Sequence, residues 1–366
     1  MRVLMISKAL VVGIYQRKLE EIARLNVELL AVVPPSWRDE RGDSPLERVY
    51  TKGYELKVLP LVNNGDFHLH FYRGLGEVMR RFRPEIVHID EEPYNLATWQ
   101  ALFEAKRCQA KTVFFSWQNI LRRYPPPFGW GEAWVLRNID HVIAGTESAA
   151  EVWRAKGYQC GITVIPQFGT DATLFHPPED QSEDRPFTIG YFGRLVEEKG
   201  VHLLLDAAAR LADDWRLLLV GGGPMQATLV ERAARLGIKQ RLSFVPQVAS
   251  MQMPALYHRI DALALPSLTR PNWKEQFGRV LVEAMMSGVA IVGSDSAAIP
   301  GVVGDGGLIV PEGDVTALAD ALGRLQQDVD LRRSLGAKGR ARALAHFTQA
   351  QVAAATVNVY QSLLTG

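Results

Sequence analysis

The sequence contains few cysteines, almost no net charge and no long apolar run. Its two cysteines, Cys108 and Cys160, have no CxxC spacing, which argues against a disulfide framework and fits a reducing compartment. The formal net charge of +1 creates no overall attraction to nucleic acid or to anionic membranes, so any anion site must be local. Lys8 interrupts the first apolar run, no small-residue cleavage site follows it, and no stretch approaches the roughly 20 apolar residues that span a bilayer. We therefore expect a cytoplasmic protein.

Solenoid repeats, low-complexity tracts and a GxGxxG fingerprint are also absent. What the sequence does contain is 366 residues, 47% of them hydrophobic, which is enough for two domains of on the order of 100 to 200 residues each. Short apolar runs alternate with amphipathic stretches in both halves, which predicts parallel, doubly wound sheets. Strands are predicted at 2–7, 28–33, 85–90, 111–116, 141–144, 187–191, 216–221, 242–245, 262–266 and 290–293. Helices are predicted at 69–83, 96–108, 201–211 and 225–236.

A polar, proline-flanked segment at 177–186 predicts the linker between the two halves. We predict an α/β protein of two tandem Rossmann-like domains, an amino-terminal one over 1–175 and a carboxyl-terminal one over 176–347. Because ligands bind beyond the carboxyl ends of the strands in such sheets, two lobes facing each other would form a central cleft there.

Two glutamates eight positions apart form the strongest candidate site. Glu275 precedes a predicted helix starting near Gly278, and Glu283 lies within that helix's second turn, so both can face one cavity. Carboxylates only accept hydrogen bonds, and paired ones suit a ligand rich in hydroxyls. The alternative is that Glu275 caps the helix and Glu283 is an exposed surface charge.

Two cations follow the strand predicted at 187–191. Arg194 can bind phosphate oxygens in a bidentate manner, and Lys199 adds a point charge beside the helix that begins near Gly200. This combination predicts a pyrophosphate site. The alternative is a solvated basic turn whose cations pair with Glu197 and Glu198.

A glycine-rich loop, 221–224, follows the next strand. Its glycines would let the backbone approach a ligand closely, but a tight strand-to-helix turn explains them equally well. We include Gly222, together with Gly193 at the preceding strand end, among the candidate ligand contacts.

These motifs resemble the family 4 glycosyltransferases of GT-B fold, and the resemblance covers nearly the whole chain. It is carried by 193–200, the 221–224 loop, Leu265 to Ser267, Glu275 to Gly288, and IPQFGTDATLF at 165–175. The segment from about 348 to 366 resembles the family's last helix, which crosses back to the first lobe.

The resemblance implies roles for individual residues. Arg194 and Lys199 would bind the donor diphosphate, Glu275 the sugar hydroxyls and Glu283 the ribose. The other implied donor contacts are Val248 at the base, the backbone amides of Phe277 and Gly278, and the neighbouring Arg279.

The first lobe departs from the family pattern. The usual glycine pair after the first strand is reduced to Gly13, which is the best candidate for a phosphate contact from this side. The histidine that often follows the strand at 112–116 is replaced by Gln118 and Asn119, which we predict as its substitutes.

Acidic and histidine clusters are the candidates for a metal site. Asp90, Glu91 and Glu92 suit Mg²⁺ or Mn²⁺, but recognition of the acceptor by Asp90 and Glu92, or pairing with nearby arginines, is favoured. His68 and His70 have no third ligand, which indicates a solvated loop. No metal site is predicted.

The segment 122–130 combines arginines, prolines and aromatics. It could contact a lipid headgroup at the inner face of the membrane, or be a rigid proline-rich loop; both interpretations stay open.

The predicted activity is retaining, metal-independent transfer of a hexose from a nucleotide diphosphate sugar, UDP- or GDP-linked, to a small-molecule, glycan or lipid-linked acceptor. Arg194, Lys199 and Glu275 form the predicted catalytic set. No cofactor and no nucleic-acid partner are expected, and the sugar nucleotide is a co-substrate. The alternatives are a GT-B sugar-nucleotide epimerase and a two-lobed sugar-binding protein.

Overall fold

The computed structural model describes residues 1–39, 42–179, 185–212 and 214–365. Two compact units make up the chain. The first comprises residues 1–169 and the carboxyl-terminal residues from Gln349, and the second comprises Thr170–Thr348. The division therefore falls slightly before the predicted boundary at 175, and residues 180–184 of the predicted linker at 177–186 lie outside the described residues.

The first unit is built on a seven-stranded sheet with strand order β11-β10-β9-β8-β1-β2-β5, in which every pair is parallel. Its central strands are buried except for the first residues of β1 and β9, because helices cover both faces of the sheet. The strands of this unit are β1 (Arg2–Ile6), β2 (Glu28–Val33), β3 (Ser36–Asp39), β4 (Gly42–Pro45), β5 (Glu55–Val58), β6 (Leu61–Val62), β7 (Phe71–Tyr72), β8 (Ile86–Ile89), β9 (Lys111–Ser116), β10 (His141–Ala144) and β11 (Gly161–Val164). The helices are α1 (Arg17–Arg24), α2 (Leu75–Phe82), α3 (Leu96–Arg107), α4 (Phe128–Asn138) and α5 (Glu147–Ala155).

One predicted helix starts later than the apolar pattern indicated. The pattern at 69–83 predicted a continuous helix, but Phe71 and Tyr72 pair with β6 as a short antiparallel strand. Gly74 then adopts a left-handed conformation with φ of 84°, and α2 begins only at Leu75. A left-handed residue interrupts helical hydrogen bonding, and glycine adopts it without steric cost.

The second unit is built on a six-stranded parallel sheet with strand order β14-β13-β12-β15-β16-β17. The strands are β12 (Phe187–Phe192), β13 (Trp215–Val220), β14 (Leu242–Val245), β15 (Ala262–Leu265), β16 (Ala290–Ser294) and β17 (Gly307–Val310). The helices are α6 (Val201–Ala208), α7 (Gln226–Arg235), α8 (Met253–Tyr257), α9 (Arg279–Met286), α10 (Ile299–Val303), α11 (Val315–Gln327) and α12 (Val329–His346). Both sheets are doubly wound Rossmann-like sheets, as the alternating pattern predicted.

The last helix, α13 (Gln349–Thr365), belongs to the first unit although it follows the second in sequence. It packs against α1 and contributes Val352, Val357 and Tyr360 to the core beneath β1 and β2. The hydroxyl of Tyr360 lies 2.5 Å from Nδ1 of His88, a buried residue of β8. This contact ties the end of the chain to the central strands of the first sheet.

Candidate functional site

Lys199 lies where the turn after β12 meets the end of β15. A short 3-10 turn over Glu197–Lys199 ends at Gly200, whose φ of 66° is left-handed. A Cβ atom on Gly200 would lie 2.0 Å from the carbonyl oxygen of Pro266, so no larger residue fits between these two segments. The glycine therefore permits Lys199 to sit beside the residues that follow β15.

The ammonium group of Lys199 is held by the residues that follow β15. Its Nζ atom lies 2.6 Å from Oε2 of Glu275 and 5.0 Å from the centre of the Trp273 ring. The Ser267 hydroxyl donates to the same Glu275 oxygen at 2.9 Å. Glu275 is buried, and the helix that follows has Gly278 as its N-cap, without a side-chain cap. The N-cap residue of this helix is therefore Gly278 and not Glu275.

Arg194 lies at the same strand end but is exposed. The hydroxyl of Tyr191 donates to the backbone carbonyl oxygen of Arg194 at 2.7 Å, and this bond stabilises the turn. Among the described residues, no carboxylate pairs with the Arg194 guanidinium. Glu197 forms its ion pair with Arg270, at 2.9 Å, rather than with either cation of the turn. The predicted alternative, a turn neutralised by its own glutamates, does not describe this segment.

Glu283 is buried within α9, with both carboxylate oxygens engaged. The hydroxyl of Tyr257 donates to Oε2 at 2.8 Å, and Nε of Arg279 lies 2.7 Å from Oε1. Burial, followed by the charge of Glu283, raises the pKa of Tyr257 well above its usual value, so its hydroxyl stays a donor. Glu283 is only 4% exposed, so the alternative of a surface charge is wrong.

The remaining candidate donor contacts surround these side chains. The turn containing Gly193 packs on the glycine loop, where the Leu195 amide donates to the Gly222 carbonyl at 2.9 Å. Gly222 is itself exposed, and the position of a Cβ atom there is open space. Val248 and Phe277 are partly buried against the core of the second unit. The loop thus forms a tight turn and still leaves Gly222 accessible.

Three consecutive carboxylates follow β8 in the first unit, and each has its own partners. Asp90 accepts from Ser7 at 2.5 Å and from Gln167 at 2.9 Å. Glu91 forms an ion pair with Lys8 and lies 3.6 Å from Nε2 of His70. These contacts correct the expectation that arginines would pair with this cluster.

The third carboxylate, Glu92, links the ends of β8 and β9. It accepts from the Ser116 hydroxyl at 2.6 Å and from the Trp117 amide at 2.8 Å. Within the ranges that the structure describes, no group of His, Cys, Asp or Glu side chains has the arrangement of a metal site.

The environments of the three carboxylates shift their pKa values in different directions. Burial raises the pKa of Asp90. Burial also raises the pKa of Glu92, to about 7, against the opposing hydrogen bonds from Ser116 and Trp117. For Glu91 the burial penalty is outweighed by the charge of Lys8 and by His70, which lower its pKa to about 2. A single strand end therefore holds one strongly acidic and two weakly acidic groups.

Gln118 and Asn119 are buried directly after β9. The backbone amide of Gln118 donates to the Ser116 hydroxyl at 3.0 Å. Its side-chain Nε2 donates to the carbonyl of Ile120 at 3.1 Å. The side-chain oxygen of Gln118 is buried and accepts no hydrogen bond from any residue that the structure describes. It is therefore an acceptor available to a ligand or to water.

The backbone amide of Gly13, the predicted phosphate contact of the first lobe, is occupied. It donates to Oε2 of Glu47 at 2.6 Å. A Cβ atom on Gly13 would lie 2.3 Å from Cγ2 of Val49, so the segment around Glu47 covers this glycine. A phosphate could reach the amide only by displacing a carboxylate, which corrects the expectation of an open site here.

His68 and His70 do not form a solvated loop. His70 is fully buried, with its ring 5.0 Å from that of Trp37. The His68 ring packs 4.9 Å from that of Phe128 and 5.6 Å from that of Tyr94. The apparent metal-like spacing reflects an aromatic cluster beside the β8 carboxylates.

Two family models match the chain in succession. The model described as Glycosyltransferase Family 4 matches residues 19–168, and the model described as Glycosyl transferases group 1 matches residues 175–342. The lipopolysaccharide core biosynthesis mannosyltransferase LpsB of Rhizobium meliloti is 30% identical over 317 residues, covering 78% of this chain and 85% of that protein. The chain belongs to the family 4 glycosyltransferases.

Other relatives of this glycosyltransferase are longer. The D-inositol 3-phosphate glycosyltransferase of Nocardia farcinica is 31% identical over 255 residues, which are 64% of this chain and 55% of that protein. The chain thus spans about half the length of this curated relative.

Solved structures of similar fold cover the full glycosyltransferase. Sucrose-phosphate synthase from Thermosynechococcus elongatus superposes with a TM-score of 0.73 at 21% identity, over 100% of this chain and 99% of that one. HepE from Anabaena, in complex with UDP and glucose, superposes with a TM-score of 0.70 at 20% identity, over 99% and 100%. The GT-B fold that the motifs predicted is therefore confirmed.

Several polar residues of the candidate site were not singled out from the sequence of this glycosyltransferase. Ser267 and Trp273 contact the Lys199–Glu275 pair, and Tyr257 contacts Glu283. In the first unit the corresponding omissions are Lys8 and Gln167. Ser267 and Lys8 closely follow predicted strands, and this position was the available signal; Tyr257 and Gln167 approach only through tertiary folding.

Proposed function

We propose that this glycosyltransferase transfers a hexose from a nucleotide diphosphate sugar to an acceptor hydroxyl, with retention of anomeric configuration. The observation that carries the proposal is the cationic pair at the β12 end, with Lys199 bonded to Glu275 and Arg194 exposed beside it. Two cations at the carboxyl end of a central strand are suited to a diphosphate.

In the proposed reaction the bond between the donor's anomeric carbon and the phosphate oxygen breaks as the acceptor oxygen bonds on the same face. Negative charge develops on the departing diphosphate, and Arg194, Lys199 and the amides near Gly278 stabilise it. The departing phosphate oxygen takes the acceptor proton, so atoms and charge balance. The Lys199 ammonium group would bind the phosphate and weaken its ion pair with Glu275. Glu275 could then accept hydrogen bonds from sugar hydroxyls.

Glu283 is proposed to bind the ribose. Its carboxylate is oriented by Tyr257 and Arg279, and a vicinal diol is a suitable donor pair for such an acceptor. Val248, Phe277, Gly193 and Gly222 would complete the donor site around it.

Retention is supported by the hydrogen bonds that Asp90 and Glu92 of the first unit already accept. Each accepts two hydrogen bonds from its own unit, which ties both carboxylates to neighbouring residues of that unit and competes with a role as general base. Gln118 and Asn119, proposed as acceptor or sugar contacts, cannot take a proton near neutral pH. Proton NMR of the first-formed product tests this step, and an inverted product would identify one of the carboxylates as a base.

The donor is proposed to be UDP- or GDP-linked. HepE binds UDP and UDP-glucose, and a relative from Mycolicibacterium smegmatis is named as a GDP-mannose-dependent mannosyltransferase. The names of the relatives include lipopolysaccharide core and inositol phosphate acceptors, so a small molecule, a glycan and a lipid-linked glycan all remain candidates. Both cysteines are unpaired, which fits the proposed cytoplasmic site of reaction.

A thermal-shift panel of nucleotides and sugar nucleotides tests the donor. A ligand that binds only the folded state raises the melting temperature, so the true donor should give the largest shift. Release of nucleoside diphosphate should then require an acceptor and continue in excess chelator, because Arg194 and Lys199 supply the positive charge. Conversion of the donor alone to an epimer would contradict transfer, and a requirement for Mg²⁺ or Mn²⁺ would contradict metal independence.

A further inference from the structure

A basic cavity lies on the first unit, beside α4, and none of its lining residues is assigned to the donor. Its volume is about 430 Å³, within the range of ligand pockets. Its lining includes Leu121, Arg123, Glu132, Ala133, Arg137 and Lys156. No part of the proposed transfer chemistry uses this cavity.

The charge of the cavity is positive after its internal pairing is taken into account. Lys156 forms an ion pair with Glu132, so these two lining residues neutralise each other. Arg123 and Arg137 are exposed, and neither pairs with a carboxylate among the residues that the structure describes. The cavity therefore favours an anion, and two guanidinium groups favour a phosphate in particular.

An apolar rim adjoins the two arginines. Leu121 is 58% exposed and Trp130 is 70% exposed, and both are large side chains that globular proteins usually cover. Trp130 and Arg137 are seven positions apart on α4, which places them on one helix face, and Ala133 between them is exposed as well. The three prolines before α4 are also exposed.

Cations beside an exposed tryptophan match the interfacial region of a bilayer, where phosphates lie next to acyl chains. A soluble phosphorylated ligand would need the arginines but would gain nothing from the rim. We propose that the cavity receives the phosphate of an anionic lipid headgroup while Leu121 and Trp130 insert at the interface. Among the described helices none is long and apolar enough to cross a membrane, so the contact would be made at the surface.

Co-sedimentation with lipid vesicles tests the proposal. The protein should bind vesicles of phosphatidylcholine with about 30% phosphatidylglycerol but not phosphatidylcholine alone, and added salt should weaken binding. The double variant Arg123→Glu/Arg137→Glu should bind at least about tenfold more weakly. Arg80→Glu/Arg235→Glu, which makes the same charge change at exposed helix positions elsewhere, should bind nearly as well as the wild type. Trp130→Ala should cause a smaller loss that high salt does not alter.

The arms of the experiment separate the possible outcomes. Equal binding to both vesicle types, no binding to either, or full binding by Arg123→Glu/Arg137→Glu would each overturn the proposal. So would calorimetric binding of inorganic phosphate that the double variant abolishes while vesicles are ignored, since that result indicates a soluble phosphorylated ligand. Should the double variant unfold, Arg123→Gln and Arg137→Gln provide the same test singly. None of these variants alters Arg194 or Lys199, so failure here leaves the proposed transfer unaffected.

Discussion

The carboxyl ends of the two sheets hold similar numbers of charged side chains but arrange them differently. At the second sheet, Arg194 is exposed and Lys199 has a carboxylate partner that a phosphate could replace. At the first sheet, Asp90 and Glu92 are tied to serines, amides and Gln167 of the same unit. The charged groups of the second sheet can exchange partners with an anionic ligand, whereas those of the first sheet fix the ends of neighbouring strands to each other. This difference supports the proposal that the second unit stabilises the charge of the departing diphosphate.

The largest effect is expected from Lys199→Ala. Loss of one donor aimed at developing charge typically costs 3 to 4 kcal/mol, so turnover should fall by about a hundredfold or more. Steady-state kinetics with the donor identified by the thermal-shift panel would measure it. Lys239→Ala, at an exposed position of the same unit, is the matched control and should be nearly silent. Wild-type turnover in a folded Lys199→Ala protein would remove the second unit from the proposed role.

Glu283→Gln should weaken nucleotide binding by about tenfold or more, because hydrogen bonds to a charged acceptor contribute about 1.5 to 3 kcal/mol. Isothermal calorimetry with the preferred nucleoside diphosphate gives the affinity directly. Glu231→Gln, exposed on α7, controls for the change of net charge. Tyr257→Phe removes only the group that orients Glu283 and should have a smaller effect. Equal affinities for Glu283→Gln and the wild type would contradict the ribose assignment.

The third effect concerns the first unit and stability rather than binding. Tyr360→Phe removes the hydroxyl that bonds to buried His88, so the free energy of unfolding should fall by about 1 kcal/mol. Urea unfolding fitted with one transition for each unit would measure the change. Tyr50→Phe keeps a ring near Arg17 and removes a hydroxyl without a comparable buried partner. A loss of the same size in Tyr50→Phe would show that the contact between α13 and β8 is not responsible.

Local motifs and tertiary networks differed in how well the sequence predicted them. Lys199 and Glu275 occur in short segments whose spacing relative to a strand or helix indicates where they lie. The Asp90 partners come from positions 7 and 167, which no local pattern connects. Gly13 shows the same limit, because the glutamate that occupies its amide is 34 residues away.

Exposure at the edge of a sheet explains why three strands of the main sheets were not predicted. β5, β11 and β17 are edge strands, and among their residues only Val310 is buried. β5 alternates charged and apolar residues, and β11 and β17 have shorter apolar runs than the buried central strands of both sheets. The core strands could be predicted because burial on two faces leaves a clear pattern in the sequence.

The last expected effect is a pH dependence of stability that originates from Glu92. Its pKa is raised to about 7 in the folded protein, from 4.5 for the unfolded group, mainly by burial. Between these pH values the folded state keeps a proton that the unfolded state has lost, so stability falls as pH rises through this window. Glu91 acts at lower pH because its pKa is about 2, and Lys18 acts at higher pH because burial lowers its pKa to about 8. The Glu92 contribution therefore lies in a window that neither of them shares.

Relative to the wild type, Glu92→Gln should give a less negative slope of stability against pH; the raised pKa of Asp90 adds to the fall, whereas the lowered pKa of the buried His88 opposes it. Glutamine is neutral at every pH, and its amide oxygen can still accept from the Trp117 amide, so the variant should gain stability relative to the wild type above pH 7. Thermal unfolding midpoints measured from about pH 5 to pH 7 give the slope. Glu77→Gln, exposed on α2 of the same unit, should keep the wild-type slope. Parallel slopes for Glu92→Gln and the wild type would show that Glu92 is already ionised across this range, and its carboxylate would then become a candidate general base.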